Sequence, residues 1–184
     1  MTGPGADVNV RVALASDAER IAELQVRAWR QAYAAALPAD VLDSFDTHDF
    51  ATRWQRAIAR PNEARRRILV ALDSVDVVGF GLTAPADDPD ADPAYDGQVA
   101  EFLVAPERTG RGHGSRLMQG CADTLRADRF TRATIWVNAD DDALRGFLST
   151  AGWAPDGAHR VLDLTGDGST TVKQVRLHTD LRDP

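Results

Sequence analysis

The chain has 184 residues, with 21 Lys+Arg against 28 Asp+Glu and a formal net charge of −7. At that length one domain with one sizeable core is expected, and the acidic balance argues against nucleic acid as the main partner, because phosphate binding needs a basic footprint. A composition 43% hydrophobic and 27% charged, no apolar run able to span a bilayer or form a leader, and a lone cysteine, Cys121, point to a soluble cytoplasmic protein without an internal disulfide.

Residues 1–7 read as a flexible tail ahead of a single domain over 8–184. Asn9 to Leu14 is a short strand signal. Ser16 with Glu19 three residues later spells a capping box, and Ile21, Leu24, Ala28, Trp29 and Ala32 recur at helical spacing, so a helix to about Ala36 is expected. Pro38 opens a second, short helix through Leu42 and Phe45. Thr47 caps a third, which carries Phe50, Trp54 and Ile58 and ends before Pro61. A buried strand ends at Leu72 and turns at Asp73-Ser74 into a hairpin partner, VDVVGFGLTA. Ala84 to Gly97, rich in Pro and Asp, reads as a solvated loop. A strand from Gln98 to Ala105 follows, then a glycine loop and a helix from about Gly112 to Ala127. A strand ends at Val137, a helix ends at Gly152 as its C-cap, and two strands, HRVLDL and TTVKQVRLH, close the chain. The order is βαα(α)βββαβαββ, an α+β fold with one βαβ crossover in the middle.

The glycine loop, RTGRGHGS, is the most informative stretch. Between a strand and a helix it is an arrangement that binds phosphate: first-turn N–H groups lack intrahelical partners, and the helix dipole leaves partial positive charge there. Glycine lets backbone approach a pyrophosphate and permits positive φ. Arg108 and Arg111 could add counter-charge. Walker A spacing fails, because Gly114 is followed by Ser115-Arg116. The dinucleotide fingerprint fails too, since its third glycine would fall on Ser115 or Leu117, although Asp140 and Asp141 after the next strand imitate its ribose-binding acid. On spacing alone a phosphate cradle and a plain glycine turn both stand.

The surroundings of the loop resemble motif A of the GNAT N-acetyltransferase family: Val104 and Pro106 match its V-x-P, and Gly112 and Gly114 its two glycines, while Thr109 departs from the usual Gln or Arg. AWRQAYAAALPADVLD resembles the first two helices of a common bacterial subgroup, GFLSTAGWAPDG its motif B and VKQVRLHTDL its last strand, so the likeness runs nearly the whole chain from Val10. It implies a mixed, mostly antiparallel sheet with a central splayed βαβ unit flanked by helices. It implies acetyl-CoA as cosubstrate, with the pantetheine arm along Phe102, Leu103 and Val104. The pyrophosphate then falls on Arg108, Thr109, Gly110, Arg111, Gly112, His113, Gly114 and Ser115. The position where the family carries an Asn falls on Asp141, a further cofactor contact. The implied reaction is acetyl transfer to a primary amine by direct attack in a ternary complex, without metal.

Transfer needs a base for the amine, a donor for the developing oxyanion and an outlet for the thiolate. The resemblance puts the donor at the N–H of Val104. Glu101 is the carboxylate on that strand, acting directly or through water, although strand alternation sets it opposite Phe102 and Val104 in parity, and the family's strand glutamate matches Ala100. The family's tyrosine acid falls on Leu148, which cannot donate a proton, so Ser149, water or Tyr33 would substitute. Trp29 and Tyr33 share a helix face that could line the acceptor cleft. The acidic loop Asp87–Asp96 reads as solvated, or as favouring a cationic acceptor at the cleft. The four histidines have no metal spacing, and Cys121 reads as core. Two alternatives stay open: a related module that holds acetyl-CoA with little turnover, favoured by Leu148, and a nucleotide-binding protein of another fold. The acceptor is a small-molecule or peptide amine, and the last two strands could pair in a homodimer.

Overall fold

The computed structural model describes residues 8–182. Its centre is a seven-stranded sheet built from β1 (Val8–Val12), β2 (Arg67–Asp73), β3 (Asp76–Pro85), β4 (Asp96–Val104), β5 (Arg132–Asn138), β6 (Ala154–Asp163) and β7 (Thr171–Asp180), in the spatial order β1-β2-β3-β4-β5-β7-β6. Every neighbouring pair is antiparallel except β4 and β5. Five helices accompany it: α1 (Ala18–Ala32), α2 (Ala39–Asp43), α3 (Thr47–Ala59), α4 (His113–Ala127) and α5 (Asp142–Thr150). Element order and fold class are as the sequence implied; the tail at 1–7 lies outside the described residues.

Two apolar clusters cover the two faces. On one, Leu117, Cys121 and Leu125 of α4 and Leu148 of α5 pack on Val99, Ile135, Val137 and Leu177. On the other, Ile21, Ala22 and Leu24 of α1 and Trp54 of α3 pack on Val70, Phe80 and Leu82. Burying side chains of this size contributes about 1.5–3 kcal/mol each before entropy is subtracted. The hairpin glycines are forced by closeness: a Cβ on Gly81 would stand 2.7 Å from Cys121 Sγ, and one on Gly79 2.7 Å from the Leu103 carbonyl. Cys121 is buried, and desolvation pushes its thiol up to about 12, so it packs and does not react.

Several local readings change. Ser16 does not cap α1. A 3-10 turn at Ala15–Asp17 precedes the helix, and the Asp17 carboxylate accepts from the Leu14 amide at 2.7 Å and from the Arg11 guanidinium at 2.6 and 3.0 Å. That ion pair holds the Asp17 carboxyl below its usual range. α1 ends at Ala32, short of Ala36. α3 is capped by Asp46, which accepts from the amides of His48 and Asp49 at 2.7 and 3.0 Å, and not by Thr47.

Candidate active site

β4 and β5 are paired only at Asp96↔Arg132, Gly97↔Ala133 and Gln98↔Thr134. Beyond that point both strands continue, β4 on β3 and β5 on β7, but not on each other. The sheet is therefore open between them. A strand presents its backbone groups to alternate sides. The amide of Ala105 donates to Val78 on β3 at 2.8 Å, so those of Phe102 and Val104 face the opening. This is the splay the sequence implied.

The glycine loop stands at the end of β4 beside this opening. Gly112 is the N-cap of α4 with φ +88, and Gly110 has φ +73, both in the left-handed region, with open space where a Cβ would stand. Among the described residues the amides of Gly110, Arg111, Gly112, His113, Gly114 and Ser115 have no acceptor. A row of unpaired N–H groups at the positive end of a helix is an anion cradle. The backbone thus fits a pyrophosphate, which favours the cradle reading of the glycines. A groove of about 330 Å³ runs on from it between α4 and α5, lined by Ser115, Gln119, Arg126, Phe147 and Thr150 among others.

The side chains of the loop behave differently from its backbone. Arg108 does not turn to the cradle: its guanidinium pairs with Asp73 on β2 at 2.5 Å. Thr109 Oγ1 donates to Pro106 at 2.9 Å. Arg111 and Ser115 are exposed. His113 is fully buried, with neither ring nitrogen partnered among the described residues and Asp73 Oδ2 3.9 Å away.

β4 carries the extra residue of a bulge at Ala100: Thr83 faces Val99 and Leu82 faces Glu101. Val99 and Phe102, an odd distance apart, consequently both meet the α4 cluster, and Glu101 shares the other face with Leu82. Simple alternation does not hold along this strand, and Glu101, after the bulge, takes the ladder position. Its carboxyl is half-buried, has no hydrogen-bond partner among the described residues, and is pushed up to about 7 by desolvation. A carboxyl tuned to neutrality beside an opening is a candidate general base.

The remaining candidates do not converge here. Asp141 is the N-cap of α5, accepting from the Leu144 amide at 2.9 Å. Trp29 packs edge-on against Phe45 and Phe50, with centroids 5.8 and 5.4 Å apart, and is half-buried at the α1–α3 corner. Tyr33 closes α1 as its C-cap, half-buried. Leu148 is wholly buried. Phe147 beside it stacks on Phe102, centroids 5.9 Å apart and planes at 15°, joining α5 to β4. Among the described residues no group of three His, Cys, Asp or Glu could hold a metal.

Sequence reading missed the far lip of the opening. The acidic loop is not merely solvated: Trp136 Nε1 donates to Asp88 at 3.0 and 3.2 Å, and Arg176, buried, holds Asp88 at 3.1 Å, Asp90 at 2.6 Å and Asp156 at 2.8 Å. Arg176 draws the Asp90 carboxyl down to about 2. The only sequence signal was an arginine between the apolar Val175 and Leu177 in a chain that also carries an Asp-rich loop.

The profile of the acetyltransferase (GNAT) family matches residues 18–153. The chain belongs to that family. N-acetyl transfer from acetyl-CoA is the activity of the family, as the motif resemblance implied. The chain is 28% identical over 131 residues to an uncharacterized N-acetyltransferase of Bacillus subtilis, YuaI, covering 71% of each. It is 30% identical over 122 residues to phosphinothricin N-acetyltransferase of Streptomyces coelicolor, covering 64% of this chain and 70% of that one. Its fold matches yncA of Salmonella typhimurium, assigned as an acetyltransferase and solved with acetyl-CoA, with a TM-score of 0.70 at 16% identity over 97% and 96% of the two chains. This GNAT chain has no helix long and apolar enough to cross a membrane among its described residues.

Proposed function

We propose that the chain transfers acetyl from acetyl-CoA to a primary amine by direct attack in a ternary complex. The observation that carries this is the loss of β4–β5 pairing after Gln98 and Thr134, next to a row of unpaired amides. Bound acetyl-CoA supplies an acetyl group activated as a thioester. The Gly110–Ser115 amides hold its pyrophosphate, and Phe102 and Val104 offer backbone groups to its pantetheine arm. The Val104 N–H is the oxyanion donor. Glu101 takes the proton of the incoming ammonium, directly or through one water. Leu148 gives no acid, and the thiol, with an ordinary pKa near 8.5, leaves as thiolate. The setting is cytoplasmic. The exposed outer edge of β6, which carries Val161, is the surface for a homodimer.

The test is a thermal-shift titration with acetyl-CoA, CoA, NAD and ATP, followed by an amine panel read by thiol release. Ligand at a hundredfold excess over Kd stabilises by about 2.7 kcal/mol, which shifts Tm by several degrees. No shift with either CoA species sinks the proposal. A shift without thiol release from any amine supports the second reading, an acetyl-CoA-holding module, which the burial of Leu148 favours.

A further inference from the structure

On the face of Glu101, strands β5, β7 and β6 carry a polar row that the transfer chemistry leaves unused. Asn138, Gln174 and Arg160 stand abreast across the three strands. Gln174 Nε2 donates to Asn138 Oδ1 at 3.0 Å, and Arg160 Nε donates to Gln174 Oε1 at 2.8 Å. The guanidinium of Arg160 lies over the Trp136 ring, 4.3 Å from its centroid. Two contacts therefore set its orientation, while its Nη groups have no acceptor among the described residues and the side chain is exposed. Arg176 on the same face is saturated by Asp88, Asp90 and Asp156. In an acidic chain, Arg160 is an ordered cation left without an anion.

Its location gives this meaning. Trp136 is two residues past Thr134, where β5 leaves β4, so it stands on the far lip of the opening, across from Glu101. The helices on this face, α1 and α3, pack against the β2–β4 side. The Thr170 hydroxyl in the β6–β7 turn donates to the Ala36 carbonyl at 3.4 Å, tying that turn to the segment after α1. The strand order thus puts a carboxyl, Glu101, on one lip and a guanidinium fork, Arg160 over Trp136, on the other. Guanidinium matches a carboxylate bidentately, and stacking on an aromatic ring reduces the entropy lost when it does so.

We propose that Arg160 anchors a carboxylate of the acceptor, so that the amine presented to Glu101 belongs to a free amino acid or a close analogue. This rests on the acetyl-transfer reading above. A polyamine or an aminoglycoside would leave Arg160 unpaired.

The experiment is calorimetric titration of the CoA-loaded protein with L-amino acids and with their carboxamides, on wild type, Arg160→Gln and Arg160→Lys. KM and kcat for acetylation are measured on the same panel. At least one acid is expected to bind about 10- to 100-fold more tightly than its amide, the range for a charge-assisted hydrogen bond. Arg160→Gln should erase the difference by raising KM with little change in kcat, and Arg160→Lys should restore part of it. Amides binding as well as acids, no acid binding at all, or a preference that survives in Arg160→Gln would each overturn the proposal. Acid-selective binding lost in Arg160→Gln, without thiol release, supports the anchor and fails the transfer reading instead.

Discussion

Glu101 stands directly opposite Leu82 in the β3–β4 ladder, one residue after the bulge at Ala100, and so puts its carboxyl on the apolar face shared with α1 and α3. Desolvation there moves it from 4.5 to about 7. In its proposed role as general base it must be ionised, so kcat/KM should rise with pH through an apparent pKa near 7. Glu101→Gln should lose that limb and about 100-fold or more in kcat. An unchanged profile in the variant would assign the limb elsewhere.

The same shift has a stability consequence. A carboxyl whose folded pKa is raised contributes stability that is fully present below its unfolded pKa, 4.5, and is lost as pH rises through about 7. Glu101→Gln cannot ionise. Its Tm relative to wild type should therefore climb between pH 4.5 and pH 8 by a few degrees, about 1–2 kcal/mol once partial solvent exposure is discounted. Parallel Tm curves across that range would show the carboxyl to be well solvated.

Gly112 has φ +88 in open space, so substitution strains the backbone without a clash. Gly112→Ala should cost about 1–2 kcal/mol of stability. Gly112→Asp, which adds a negative charge to the cradle, should weaken acetyl-CoA binding by tenfold or more beyond the alanine variant. Equal affinities in calorimetry would remove the phosphate from this loop.

His113 buries two ring nitrogens that have no partner among the described residues. Leaving a polar group unsatisfied costs about 1–3 kcal/mol. His113→Leu should accordingly raise the Tm by several degrees in a thermal scan. A lower Tm would mean that Asp73, 3.9 Å away, closes on the imidazole in solution.

Arg176 is the latch of the acidic loop. Arg176→Met would leave Asp88 buried without a cation, while Asp156 keeps Arg132 at 2.8 Å, and should cost about 3 kcal/mol. Acid loosens the same latch by another route. The Asp90 carboxyl is depressed from 3.8 to about 2, so its contribution is present above pH 3.8 and is lost as pH falls through about 2. Fluorescence of Trp136, which is bonded to Asp88, should report that transition in wild type and be pH-insensitive there in Arg176→Met.

What the sequence determined by itself is what neighbouring residues decide. Helical spacing and turn chemistry marked the elements in order, and the glycines marked a loop that needs positive φ, because backbone preferences act over a few residues. Motif A followed from the same stretch. Tertiary structure decided whatever depends on which strands close on each other. Asp17 went to Arg11 on β1 while keeping the Leu14 amide, and Arg108 went to Asp73 on β2, because a charge-assisted bond to a distant partner outweighs a solvated pose. The bulge at Ala100, set by pairing with β3, chose the face of Glu101. The far lip exists only because β6 and β7 bring Arg160 and Arg176 onto Trp136, a meeting of side chains that no local pattern encodes.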